Sequence, residues 1–143
     1  MIREYFLNLE GVEENSSVPL DQVIENLAFN AEGLLPVVTQ DADTRQVLMM
    51  AWMNKSALEK TLETNRVTYW SRSRNAFWIK GETSGHTQEL VSLSFDCDGD
   101  TILCLVKQTG AACHTGRKHC FYLRADAKDK VVRINSQSFS EIQ

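Results

Sequence analysis

The chain has 143 residues, 43% apolar and 24% charged, with a formal net charge of -4. This fits one domain around one core and excludes both a disordered chain and one built on a basic nucleic-acid stripe. Its longest apolar run, Val47–Met53, is too short to span a bilayer, and no basic segment leads into an apolar one at the start. No membrane span or secretory signal is therefore expected, and the cytoplasm is the expected compartment.

Residues 1–17 mix isolated apolar side chains with acids and serines, and read as a loosely held arm in which Tyr5, Phe6 and Leu7 dock on a neighbour. Residues 18–143 read as the domain proper. Across Pro19–Phe29, Leu20, Val23, Ile24 and Leu27 recur at helical spacing opposite Asp21, Gln22, Glu25 and Asn26, which predicts a short amphipathic helix. Leu34–Gln40 and Val47–Met53 read as strands paired through the polar turn Asp41–Arg45. Asn54 is suited to cap a helix over Lys55–Glu63, with Ala57, Leu58 and Leu62 facing the core. Met49, Met50 and Met53 read as core filler rather than ligands.

Val67–Ser71 and Phe77–Lys80 are short strand candidates in which Tyr69, Trp70, Phe77 and Trp78 alternate with Arg72, Arg74 and Lys80. Such interleaving suits base stacking with phosphate pairing, and equally suits alternating core and solvent faces. The run Gly81, Glu82, Thr83, Ser84, Gly85, His86 is a loop with the hydroxyls and backbone donors of a phosphate or ribose site, although ordinary surface turns use the same residues. Glu89–Cys97 predicts a strand with Val91, Leu93, Phe95 and Cys97 on one face, and Asp98-Gly99 predicts a hairpin turn. Thr101–Lys107 returns with apolar residues on both faces, as in a central strand or an interface. Gln108–Lys118 reads as a loop, Cys120–Arg124 and Val131–Ile134 as two last strands, and Asn135–Gln143 as peripheral.

The four cysteines could form two disulfides in an oxidising compartment, but in a reducing one metal ligation fits better. Cys97, Cys113 and Cys120 lie among His, Asp and Gly, whereas Cys104 sits in an apolar strand. Three thiolates with an open position suit a catalytic zinc; His114 or His119 as a fourth ligand would close it into a structural one. Asp96 and Asp98, two apart in extended backbone, share a face, and Asp100 can curl back toward them past the glycine. These carboxylates suit a hard oxygen site for Mg2+, or form a solvated acidic tip. Zinc with an open position favours water addition to an electrophilic carbon, with His114 or His119 moving a proton. The H-x-E and P-C-x-x-C elements of the zinc deaminases are missing.

The stretches GLLPVVTQDADTRQVLMMAWMN, YWSRSRNAFWIKGETSGHTQ, DCDGD and GAACHTGRKHCF resemble the phosphoribosyl-AMP cyclohydrolases in order and spacing. The resemblance implies an α+β fold, mainly antiparallel, with compact barrel-like sheets and a few short helices, in an intertwined homodimer. It implies opening of the adenine ring of 1-(5-phosphoribosyl)-AMP at the N1–C6 bond, the third step of histidine biosynthesis. Zinc would be held by Cys97 of one subunit with Cys113 and Cys120 of the other, Mg2+ by Asp96, Asp98 and Asp100, and a proton moved by His114. Trp70, Arg72, Arg74, Lys80, Glu82, Thr83 and Ser84, assisted by Arg117, are the expected substrate groove. The expected form stands alone, without the pyrophosphohydrolase domain that some relatives carry.

Overall fold

The computed structural model describes residues 2–138; the last of the residues expected to be peripheral, 139–143, lie outside the described residues. Strands β1 (Leu35–Asp41) and β2 (Val47–Met53) form the expected hairpin. Its turn is closed by the Asp41 carboxylate, which accepts the backbone N–H groups of Asp43 and Thr44 at 2.9 Å. Strands β5 (Gln88–Phe95) and β6 (Ile102–Gln108) form a second hairpin across the Asp98-Gly99 turn. The hairpins join through a parallel β1–β6 pairing into one sheet ordered β2-β1-β6-β5.

The α+β class and antiparallel predominance hold, but the barrel-like closure and the intertwining do not. The edges β2 and β5 do not pair with each other, so the sheet stays open. The remaining strands form separate hairpins, β3 (Thr68–Ser71) with β4 (Ala76–Ile79) and β7 (Leu123–Asp126) with β8 (Val131–Ile134). Every one of these strands finds its partner within the same chain.

Register explains the core. Met49, Thr39, Cys104 and Leu93 fall in one row across the sheet, and Ala51, Val37, Ile102 and Phe95 in the next. Period-two alternation sends both rows to one face. That face is covered by Ala57 and Leu58 of helix α3 (Lys55–Thr64), by Val67 and Tyr69, and by Phe6, Ile24 and Leu27. Asn54 caps α3 as expected, its side-chain oxygen accepting from Ala57 N at 2.8 Å, and Asn65 ends it at a φ of 59°.

Three local differences have physical causes. Helix α2 (Leu20–Glu25) is shorter than its apolar pattern, because the chain turns at Asn26 to send Leu27 into the core. Val91 does not share a face with Leu93 and Phe95: a bulge between Leu90 and Ser92 leaves it without a partner on β6, and it is 52% exposed. Residues Ile2–Leu9, expected as a loose arm, form helix α1, which buries Phe6 in the core with Tyr5 and Leu9 packed against it.

Candidate active site

Hairpin β3–β4 runs directly into the loop Gly81–Thr87, which returns to the sheet at Gln88. The glycines make this loop compact. Gly81, at a φ of 79°, lies so close to the backbone of His86 and Thr87 that a Cβ there would overlap it, and Gly85 N donates to Gly81 O at 2.8 Å. The ring of His86 packs on Gly110, where an added Cβ would come within 2.6 Å of it.

Facing this loop is the segment from Ala111 to Cys120. Ala112 N donates to Lys118 O at 3.2 Å, Cys113 N to Arg117 O at 3.1 Å and Gly116 N to Cys113 O at 3.0 Å. This closed turn brings Cys113 back beside Cys120, whose own N–H is fixed to Leu48 O at 2.7 Å. Between the two segments lies a cleft of about 500 Å³ whose lining includes Arg74, Trp78, Lys80, Glu82, Thr83, Ser84, His86, Cys113 and His114. Most of the expected substrate residues, the expected proton carrier and one expected zinc ligand therefore share one cavity.

The two thiols differ. Burial opposes ionisation of Cys113, but hydrogen bonds from the Thr115 hydroxyl and backbone, the Cys120 thiol and the Arg117 charge outweigh it, so its pKa is lowered. Cys120 has an edge open to solvent, yet crowding around its sulfur, then the charge of Cys113 and the hydrogen bond to it, push it up to about 11 against the pull of Lys80. Two adjoining thiols, one more readily ionised than the other, fit two positions on a soft cation such as zinc.

Lys80 spans the cleft. Its Nζ donates to Ala112 O at 2.6 Å and lies 5.0 Å from the Trp78 ring centroid. Burial lowers its pKa, opposed by the nearby Cys120 and Cys113. Trp70 and Arg72 line an adjoining groove of about 690 Å³, reached across Trp78, where Arg72 lies over the Trp52 ring at 4.7 Å. Arg117 stacks on Tyr122 at 4.0 Å rather than lining the cleft.

The remaining expected ligands lie elsewhere. Asp96, Cys97, Asp98 and Asp100 surround the β5–β6 turn, before β6, whereas Cys113 and Cys120 follow that strand. Cys97 lines a groove beside Phe6 and Leu9, whereas Cys113 lines the cleft. Among the described residues, no group of three or more His, Cys, Asp or Glu side chains is placed to hold a metal. In the turn, Asp96 Oδ1 accepts Asp100 N–H at 2.9 Å. The Asp100 carboxyl is raised above its ordinary value, chiefly by hydrogen bonding to Asp96, with burial and the Asp96 charge adding to it. Two carboxyls this close would be relieved by a hard cation, so the donor set fits Mg2+ in chemistry.

The rival histidines also separate. His114 is exposed in the cleft. His119 is buried beyond it, its Nδ1 accepting Phe121 N–H at 3.1 Å and its Nε2 3.4 Å from Gln137 O. His86 and Trp78 are cleft residues that the sequence reading did not select. The signal for His86 was its place in the Gly81–His86 run; Trp78 followed the same aromatic alternation as Trp70.

Comparison with known proteins bears on the family of the chain. Residues 49–122 match the family model described as phosphoribosyl-AMP cyclohydrolase. A phosphoribosyl-AMP cyclohydrolase of Roseobacter denitrificans is 64% identical over 68% of this chain and 77% of its own length. That of Alkalilimnicola ehrlichii is 55% identical over 85% of both chains, and that of Alcanivorax borkumensis 50% identical over 89% of both. A match spanning β2, the cleft loop, the acidic turn and the Cys113–Cys120 loop carries every element of the site, and the chain belongs to the phosphoribosyl-AMP cyclohydrolase family.

Proposed function

We propose that the chain opens the adenine ring of 1-(5-phosphoribosyl)-AMP at a zinc site completed by a second copy of itself. Family membership makes it a cyclohydrolase of histidine biosynthesis. The observation that carries the shared site is the placement of Cys97 in the groove beside Phe6, apart from the cleft that Cys113 lines. Zinc–sulfur bonds are about 2.3 Å, and among the described residues no three such ligands come together within one chain. A second copy offers its Cys97 to the pair in the cleft.

Zinc held there supplies a Lewis acid that makes water nucleophilic near neutral pH. The chain's residues do the rest. Trp78 offers a face on which the purine stacks beside Cys113, and Arg74 with the hydroxyls of Thr83 and Ser84 binds a phosphate along the cleft. Trp70 and Arg72 in the adjoining groove hold the other end of the substrate, and Glu82 accepts ribose hydroxyls. Lys80 holds the cysteine loop against the opposite wall through Ala112, and Arg117 supports it from behind. His114 takes a proton from the attacking water and returns it to N1 as the N1–C6 bond breaks. The oxygen stays on C6, the exocyclic nitrogen is retained, and no ammonia leaves. Asp96, Asp98 and Asp100 hold Mg2+ at the acidic turn.

No helix among the described residues is long and apolar enough to cross a membrane. Work in the cytoplasm as a homodimer on a small phosphorylated nucleotide, without nucleic-acid or membrane partners, is part of the same reading. The test mixes Cys97→Ala with Cys113→Ala protein under conditions of subunit exchange. Each variant alone should be inactive, while the mixture should recover about a quarter of wild-type turnover, because half the dimers are mixed and each has one intact site. No recovery despite demonstrated exchange would refute the shared site, and ammonia release would refute ring opening in favour of deamination.

A further inference from the structure

We propose that Phe6 of helix α1 is a positioning residue for the acidic turn, holding the backbone of Gly99 so that Asp98 and Asp100 are presented to a divalent cation. This rests on reading that turn as the Mg2+ site. Gly99 is the central residue of the Asp96–Asp100 sequence and is buried, although Asp96, Cys97 and Asp100 around it are exposed. It adopts a φ of 66°, and a Cβ added to it would overlap the Phe6 ring. The turn therefore needs glycine twice, once for its conformation and once to let the aromatic ring lie on its backbone. The opposite side of the same residue is also held: Gly99 O accepts Ala28 N–H at 2.8 Å, from the segment that follows α2.

Fixing Gly99 has a defined consequence for its neighbours. The peptide planes on either side set the Cα–Cβ directions of Asp98 and Asp100. Asp96 is tied to the same unit, because its carbonyl accepts Gly99 N–H at 3.0 Å and its carboxylate accepts Asp100 N–H at 2.9 Å. The reach of α1 extends to Cys97, which lines a groove of about 290 Å³ with Phe6, Leu9 and Glu10. Phe6 is 5% exposed and belongs to the main core cluster, so the brace is anchored in the fold. Helix α1 lies outside residues 49–122, so the brace comes from a part of the chain that the family model does not include.

The test uses the full chain, with Mn2+ as the probe and the free-ion electron paramagnetic resonance signal as the readout. Backbone amide exchange at Gly99 and Asp100 is followed in parallel. Leu58→Ala, a buried change in α3 away from the turn, controls for general loss of stability. Phe6→Ala should weaken Mn2+ binding about tenfold and speed exchange at Gly99 and Asp100 ahead of the sheet amides, whereas Leu58→Ala should leave Mn2+ affinity unchanged. Phe6→Leu, which keeps an apolar contact and the fold, should recover most of the affinity. Wild-type affinity in Phe6→Ala, or an equal loss in Leu58→Ala, would overturn the brace while leaving the metal reading intact. A wild-type chain whose Mn2+ binding is unaffected by Asp98→Asn would overturn the metal reading and the brace with it.

Discussion

Tyr69→Phe removes a single oxygen from the centre of the molecule, and the structure sets its cost. Tyr69 is fully buried, and burial holds its phenol far above the ordinary value, so it stays a neutral donor. Its Oη is 2.6 Å from Gln88 Oε1 and 2.7 Å from Thr39 Oγ1. An amide oxygen only accepts, so Tyr69 donates to Gln88 and accepts from Thr39. The substitution deletes both bonds at about 1 kcal/mol each and leaves Gln88 Oε1 buried without its donor, for about 1 kcal/mol more. The ring remains, so no large cavity opens. A total near 3 kcal/mol corresponds to about 10 °C in melting temperature for a domain of this size. Urea unfolding at fixed protein and metal concentration should show the lower midpoint with an unchanged slope. Thr39→Val should cost less, because it leaves the Tyr69–Gln88 bond in place. A Tyr69→Phe loss below about 0.5 kcal/mol, or one smaller than that of Thr39→Val, would refute the reasoning.

Gly81→Ala forces a Cβ onto the backbone of His86 and Thr87 at a φ of 79°, so the cleft loop must open. It should cost about 1–3 kcal/mol of stability by urea titration, and kcat/KM should fall by more than that loss explains. His114→Ala should keep the zinc content found by metal analysis and the dimer found by gel filtration, while kcat falls about 100-fold or more. Cys104 is fully buried, and desolvation pushes its thiol up to about 12 from 9.0. In the native metal-depleted protein, alkylation at pH 8 should label the exposed Cys97 and spare the buried Cys104. Because its folded value is the higher one, it contributes stability below pH 9 that is lost as pH rises from about 9 to 12, at most about 4 kcal/mol. Cys104→Ala should flatten the alkaline end of the stability profile.

What could be read from the sequence was what short-range chemistry determines. The β1–β2 hairpin, the Asn54 cap, the Asp98-Gly99 turn and the burial of Cys104 each depend on neighbouring residues and on alternation. The parallel β1–β6 pairing joins segments about 60 residues apart, and no periodicity encodes such a partner. The bulge at Val91 was hidden for a related reason, because an apolar residue in phase with Leu93 looks the same whether or not the partner strand skips it. The two-faced apolar pattern of β6 was legible as central or interfacial. Its central place explains the inner face, while Leu103 on the outer face is still 36% exposed. The chemistry of the site was legible as motifs, but its division into two groups was not. Cys97 and Cys113 are near enough in sequence to suggest one cluster, whereas the fold sets Cys97 in the groove beside Phe6 and Cys113 in the cleft.

The net charge of -4 sits beside the anion-binding role proposed for the cleft, and the distribution of charge removes the apparent conflict. Arg74 and Lys80 line one cavity, Arg72 lies in the groove next to it, and Arg117 stands behind the cysteine loop. Asp96, Asp98 and Asp100 gather at the β5–β6 turn and do not line that cavity. Because they do not line it, solvent and salt weaken their repulsion on an incoming phosphate within the chain that carries them. In the proposed shared-site dimer the repulsion returns, since the partner's acidic turn arrives beside the cleft together with the partner's Cys97. A cation held on that turn would then serve electrostatics as much as chemistry, because three uncompensated carboxylates beside the cleft would oppose any phosphate bound there.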